Sequence, residues 1–291
     1  MKIVDLWMIV DERLRWLRWR WRRLQVANRW GTEALAGAPR LFGNAIPKAG
    51  SHLLHQVLLG FAAIGPFVDP GMPPVNRDVA NRKRDQKGIL AQLSAMQPGD
   101  IRYGYLVAKK PYVNVLKQNG WATVFILRDP RDVAVSLMHY IVEKQVKHDF
   151  YEAFHTIWTT PHARLKAIIE GARLPHSRLS DPATQYSMYL DWLTYPEVFV
   201  VRFEDLILNR RETLGRILDF IQQRGAWRLT LAQEQALDAL EAAIQPHRSG
   251  TFRKGQPGEW REWFDEDLKR LFKERTGDLL IRLGYERDHD W

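Results

Sequence analysis

Residues 41–53 and 124–136 constrain this chain more than any other stretch. Leu41-Phe42-Gly43-Asn44-Ala45-Ile46 runs into Pro47-Lys48-Ala49-Gly50-Ser51-His52-Leu53. Val124-Phe125-Ile126-Leu127 runs into Arg128-Asp129-Pro130-Arg131-Asp132-Val133-Ala134-Val135-Ser136. Each has the outline of a buried strand, a tight turn holding a cation, then a helix start. Two such turns in one α/β domain suggest a site for a ligand phosphorylated at two ends.

From Arg40 onward, strand and helix patterns alternate. Strands are expected at 40–46, 101–107, 121–127 and 197–203. Helices are expected at 51–63, 130–143 and 212–223. Asp129 has the place of an N-cap and Pro130 that of the first helical residue. Residues 65–88, rich in Pro, Gly, Asn and charge, read as a long exposed loop. This alternation argues for an α/β fold with a central parallel β-sheet flanked by helices on both faces. Ligands of such sheets bind beyond the carboxyl ends of the strands, where both cation-bearing turns fall.

The N-terminus follows another pattern. Ile3, Trp7, Val10, Leu14, Leu17, Trp21 and Leu24 alternate spacings of four and three, a helical stripe of heptad type. Arg13, Arg15, Arg18, Arg20, Arg22 and Arg23 crowd the other faces, and Trp16 and Trp19 sit off the stripe. Such a Trp/Arg-rich amphipathic helix over residues 1–30 suits a place on its own domain, a coiled-coil homodimer, or the plane of a membrane. Residues 31–39 read as a linker punctuated by Gly37 and Pro39. The net charge of +9 is weighted to this end: residues 1–40 hold nine Lys/Arg against four Asp/Glu. A basic balance suits nucleic acid, an anionic membrane or a phosphorylated ligand. Arginines confined to one short helix, without a nucleic-acid module, tell against the first. No run reaches the roughly eighteen apolar residues a spanning helix needs. Asp5, Asp11 and Glu12 interrupt the place of a secretory h-region. The absence of cysteine fits a reducing compartment. The expectation is a cytoplasmic protein with membrane association through its first helix.

The two turns have definable chemistry. A turn between a strand and a helix N-terminus presents free backbone N–H groups at the positive end of a dipole. Gly50 lets an anion approach, Ser51 adds a hydroxyl, and Lys48 adds a mobile point charge. No Gly-Lys-Ser/Thr follows the glycine, so this is not a Walker A loop. Arg128 ends a strand and Ser136 lies two turns into the next helix, where both can meet one phosphate. Arg131 and Asp132 read as a solvated ion pair at the helix start. His55 and His139, among apolar helix residues, read as structural.

Pro47-Lys48-Ala49-Gly50-Ser51 resembles the 5′-phosphosulfate loop of sulfotransferases that use 3′-phosphoadenosine-5′-phosphosulfate (PAPS). The segment from Arg128 to Ser136 is similar to their 3′-phosphate element. Arg202-Phe203-Glu204-Asp205-Leu206 resembles their later strand end, where an aromatic lies near adenine. Phe252-Arg253-Lys254-Gly255 followed by Gly258-Glu259-Trp260 resembles their C-terminal lid. The resemblance implies a sheet of P-loop-kinase kind and a sulfotransferase domain over residues 40–291. It implies that Lys48, Ala49, Gly50, Ser51, His52 and Leu53 hold the phosphosulfate end, and that Arg128, Ser136, Phe203, Arg253, Lys254 and Gly255 hold the rest of the nucleotide. Residues 65–100 and 144–185 would wall the acceptor pocket.

The implied reaction is in-line displacement at sulfur by a hydroxyl or amine of a small-molecule or lipid acceptor. Lys48 is expected to stabilise charge on the leaving oxygen, without a metal. Relatives place a histidine base where this chain has Tyr105, a poor base at neutral pH; His52 is the second candidate. Leu53 stands where many relatives have a tryptophan. Two other readings remain open: a P-loop-type kinase, which the missing Walker signature disfavours, and a catalytically impaired nucleotide-binding adaptor, which the tyrosine keeps in play.

Overall fold

The computed structural model describes residues 3–248 and 253–291, with side chains described over 11–247 and 253–291. Two helices, α1 (Ile3–Trp30) and α2 (Thr32–Gly37), lead into a parallel sheet. In that sheet β1 (Arg40–Ala45) lies between β2 (Ile101–Gly104) and β3 (Trp121–Leu127). A separate two-stranded hairpin, β4 (Arg173–Leu174) with β5 (Ser177–Arg178), stands apart from it. β6 (Val198–Arg202) pairs with the outer side of β3, giving the order β2-β1-β3-β6.

β3 is buried along its whole length because helices cover both faces of the sheet. Leu41, Ala122, Val124 and Ile126 pack with α3 (Ser51–Ile64) and with helices Arg210–Gln223 and Gln233–Ala243. Phe42, Trp121, Phe125 and Leu127 pack on the other face with α4 (Gln86–Ser94) and α5 (Lys110–Leu116). Beyond β3, α6 (Pro130–His139) joins the helices Pro161–Glu170 and Glu266–Thr276 in a third apolar cluster. The expected α/β architecture with a parallel sheet is the observed one.

The expected strand over 101–107 ends early, at Gly104. Asn44, fully buried, supplies the reason. Its Nδ2 donates to the Leu106 carbonyl at 2.9 Å, and its Oδ1 accepts from the Leu106 N–H at 2.8 Å. A side chain of β1 thus takes the place of the sheet ladder and turns the chain at Tyr105. The expected helix over 130–143 is α-helical only to His139 and continues as one π-helical turn, Tyr140–Lys144. Residues 65–85 are irregular, as their Pro and Gly content predicts, but not wholly exposed. Phe67, Val68 and Val75 are buried, and Val68 bridges to Asp100 beside β2.

At the N-terminus the expected linker is corrected, and α1 docks on its own domain by a face other than its stripe. Residues 32–37 form α2 rather than a linker, and Leu35 is buried. The apolar stripe of α1 does not pack on the body. Leu14 is 43% exposed, Leu17 and Trp21 61%, and Leu24 64%; Ile3, Trp7 and Val10 lie outside the described side chains. The face that docks holds Trp16 and Trp19, packed with Leu35 and Val68. Polar anchors fix it: Trp19 Nε1 and an Arg23 guanidinium N–H donate to Asp100 Oδ1 at 2.8 and 2.9 Å. Arg22 donates to the Asp69 carbonyl and Arg15 to that of Gly71, both at 2.7 Å. A buried carboxylate and loop carbonyls demand donors, and the Arg/Trp face supplies those to Asp100 Oδ1 and to the Asp69 and Gly71 carbonyls.

Candidate active site

The two cation-bearing turns come together. β1 and β3 are parallel neighbours with Ala45 opposite Ile126, so their carboxyl ends open on the same edge. A cleft of about 950 Å³ lies there, lined by Pro47, Lys48, Gly50, Ser51, His52 and Leu53 from the first turn. Arg128 and Ser136, Phe203, and Arg253, Lys254 and Gly255 complete the residues expected from sequence. Ala49 alone does not line it: its side chain is buried in the core, and its N–H donates to the Ile46 carbonyl at 3.0 Å. Phe252 lies outside the described residues.

The first turn is shaped for close approach. Pro47 cannot extend the ladder of β1. Lys48 then takes φ 71° and Gly50 φ 101°, both in the left-handed region. A Cβ on Gly50 would sit 2.6 Å from Phe203 Cδ2, so glycine is required on both counts. Ser51, His52 and Leu53, the first turn of α3, line the cleft, and their amides lack helical partners by geometry. Ser51 Oγ lies 2.8 Å from the Tyr105 hydroxyl. Lys48 Nζ sits 3.9 Å above the Tyr140 ring.

Electrostatics mark this as an anion site. Burial, then the charges of Arg128 and Arg253, bring the Lys48 pKa down to about 8. Arg128 is buried, its guanidinium 4.3 Å above the Phe203 ring, and its Nε has no hydrogen-bond partner among the described residues. The lid cations are occupied internally: Arg253 pairs with Glu259, and Lys254 with Glu262 at 3.0 Å. His52 stands at the cleft mouth with its pKa lowered by burial and then by Lys48, so its ring is neutral at pH 7. Burial raises the Tyr105 phenol against the opposing bond from Ser51.

Arg131 and Asp132 correct another expectation: both are 1% exposed, and neither is a solvated surface group. Arg131 binds Asp129, reaches Glu286 at 2.6 Å and lies 3.8 Å from the Trp260 ring. Asp132 accepts from the Gly258 and Trp260 N–H groups at 2.7 and 2.9 Å. It thereby ties residues 258–260 to α6, four residues after Arg128. His139 bonds Glu143 at 2.5 Å, and His55 stacks on Tyr103 with ring centroids 4.3 Å apart. Neither lines the cleft.

Several cleft residues escaped the sequence reading. Tyr140 sits at the start of the π-helical turn, which no residue pattern announces. Asn76 accepts from the Tyr105 N–H at 3.3 Å across a gap of 29 residues. Among the described residues no group of three or more His, Asp or Glu is placed to hold a metal ion.

A family model described as sulfotransferase domain matches residues 112–284, more than half of the chain. It covers the Arg128 turn but begins after the Lys48 turn. No curated protein matches. Among solved structures, mouse sulfotransferase SULT7A1 complexed with PAP superposes with a TM-score of 0.58 at 15% identity, over 87% of this chain and 92% of that one. Retinol dehydratase in complex with androsterone and inactive cofactor PAP gives 0.53 at 17% identity, over 83% and 80%. At such identities the likeness establishes the fold.

Proposed function

The chain belongs to the sulfotransferase family, and on that footing we propose that its cleft binds PAPS and directs sulfuryl transfer to a hydroxyl or amine of a small-molecule acceptor. The observation that carries this is the meeting of Lys48, Arg128 and Arg253 around one cleft, where burial first and the two arginine charges second depress the lysine. Such a set of cations suits a ligand with anionic groups at two ends. The residues fit the nucleotide: the Gly50 turn and Lys48 would hold the phosphosulfate, and Arg128, Ser136, Arg253, Lys254 and Gly255 the 3′-phosphate. Phe203 and Leu53 would offer apolar contact to the base. When bound, PAPS supplies an activated sulfuryl group whose bond to phosphate is the one that breaks.

The chain's own groups then have definable tasks. Lys48 and the first-turn amides of α3 stabilise negative charge on the leaving oxygen. His52, neutral at pH 7, takes the proton of the attacking hydroxyl or amine as the new bond to sulfur forms. Tyr105, raised by burial and bonded to Ser51, positions the loop through that bond. Residues 40–291 form the catalytic unit, and residues 1–30 an appended helix.

We further propose that α1 places this unit on an anionic membrane. Leu14, Leu17, Trp21 and Leu24 are exposed, and the neighbouring Arg13, Arg18, Arg20 and Arg29 are exposed with them. The helix acids Asp11 and Glu12 are less exposed, and Asp11 bonds Arg15 at 2.8 Å. An apolar stripe with Trp, bordered by several exposed arginines, fits the interface of anionic lipid. A lipid acceptor would be met there.

The test of the first reading is transfer of labelled sulfate from PAPS to a panel of phenols, alcohols, amines, sugars and lipids. Adenosine 3′,5′-bisphosphate at a hundred times its dissociation constant should stabilise the fold by about 2.7 kcal/mol. A larger shift with ATP and Mg²⁺ would favour a kinase. For the second, Leu17→Glu with Trp21→Glu should abolish flotation with vesicles containing phosphatidylglycerol. Concentration-dependent dimers that this variant abolishes, with no flotation of either protein, would make the stripe a homodimer contact.

A further inference from the structure

The nucleotide does not account for all the positive charge in the cleft. With Lys48, Arg128, Arg253 and Lys254 directed to it, Arg77 and Lys83 still line the cleft from the irregular segment after α3. Lys147 lines it from the stretch after the π-helical turn. None of these three has an ion-pair partner among the described residues. Arg178, also lining the cleft, is set aside because its charge acts on Asp181. The acids of the lining are Asp149, which accepts from Ser177 Oγ at 2.6 Å, and Glu259, which pairs with Arg253.

The charge of Arg77 acts on the Tyr105 hydroxyl, and Arg77 follows Asn76, whose side chain accepts from the Tyr105 N–H. Lys83 is bridged to Arg77 in an antiparallel pair. Lys147 lies between Gln145, which donates to the Tyr140 hydroxyl at 3.3 Å, and His148, whose ring is 6.3 Å from that of Tyr140. Tyr140 is the ring beneath Lys48 Nζ. Arg77 is thus linked to Tyr105, and Lys147 belongs to the segment that touches Tyr140, all of them lining the one cleft.

A neutral acceptor would leave the half-buried Arg77 and the exposed Lys83 and Lys147 without a counter-charge. An acceptor bearing an anion would pair with them, and close charge pairing fixes orientation as well as affinity. Taking the sulfotransferase reading as given, we propose that the acceptor is itself anionic. It is a small molecule whose attacking hydroxyl or amine is accompanied by a carboxylate, sulfate or phosphate group held by Arg77, Lys83 and Lys147.

The test uses matched pairs of acceptors with the full chain: 4-hydroxybenzoate against its methyl ester, 4-hydroxyphenyl phosphate against 4-methoxyphenol, and glucuronate against glucose. The anionic member should show kcat/KM at least about tenfold higher at low ionic strength. Its advantage should shrink as salt is added. Arg77→Ala with Lys147→Ala should erase the preference while leaving adenosine 3′,5′-bisphosphate binding unchanged. Where turnover is below detection, the same pairs are compared for binding to the protein loaded with that nucleotide. Equal or better performance of the neutral members, in turnover or binding, overturns the inference alone. Failure of the nucleotide to bind overturns the sulfotransferase reading instead.

Discussion

Lys48→Met separates the functional value of one charge from its effect on the fold. The substitution keeps an unbranched stem and removes the ammonium. In the ligand-free protein burial, Arg128 and Arg253 bring the Lys48 pKa from 10.5 to about 8. At 1.36 kcal/mol for each tenfold change, keeping that proton in the folded state costs about 3 kcal/mol. Below pH 8 both the folded and the unfolded chain carry the proton, so the whole penalty stands. Between pH 8 and 10.5 the unfolded chain holds a proton that the folded chain has released, and wild-type stability rises with pH. Above 10.5 the penalty has gone. Lys48→Met should therefore stabilise the nucleotide-free protein by up to about 3 kcal/mol at pH 7, and by only about 1 kcal/mol at pH 9.5. Urea unfolding of both proteins at the two pH values measures this. The same variant should lose about two to three orders of magnitude in turnover, as expected for a lost donor at a developing charge. A variant less stable than wild type at pH 7, or an advantage that does not change with pH, would show that the Lys48 ammonium is not held against burial and neighbouring cations, and would remove the argument for an anion site.

Two further outcomes follow from the loop. His52→Asn should lower kcat by about two to four orders of magnitude, whereas Tyr105→Phe, which loses one hydrogen bond to Ser51, should lower it far less; the reverse ranking in steady-state assays would make the tyrosine the base. Gly50→Ala forces a side chain into φ 101° and against Phe203. It should destabilise the fold by about 2 kcal/mol or more in chemical denaturation, and a neutral effect would refute the assigned tightness of the turn.

The parallel sheet and its ligand edge were legible because each depends on local pattern. Apolar runs such as Trp121–Leu127 belong to strands covered on both faces, and Pro47, Gly50 and Asp129–Pro130 punctuate the strand-to-helix turns. Arg131 and Asp132 were misread for the opposite reason. Their sequence neighbours suggest a helix-start pair, but their partners, Glu286 and the Gly258 and Trp260 amides, lie more than a hundred residues away. Ala49 is similar: motif membership places it in the loop, yet its own side chain faces the core. Tyr140 entered the cleft through a π-helical turn, whose extra residue shifts the face that a helical side chain presents.

The first helix shows where pattern reading stops. A heptad stripe reports that one face of a helix is apolar; it does not say that this face meets the chain's own core. In α1 the contest was between aliphatic burial and the pairing of polar groups already fixed by the body. Asp100 is 3% exposed and needs donors, and an unpaired buried carboxylate is more unfavourable than an exposed leucine. Trp19 and Arg23 satisfy it with two bonds while Trp19 also fills the space beside Leu35 and Val68. Docking by the opposite face would bury Leu17, Trp21 and Leu24 but leave Oδ1 of that carboxylate without donors, only Oδ2 being held by the Gln97 N–H. The polar term therefore sets the rotation of the helix, and the stripe faces outward as a consequence. An apolar face that the fold gives up in this way, with exposed arginines along it, is accounted for if something outside the chain completes it.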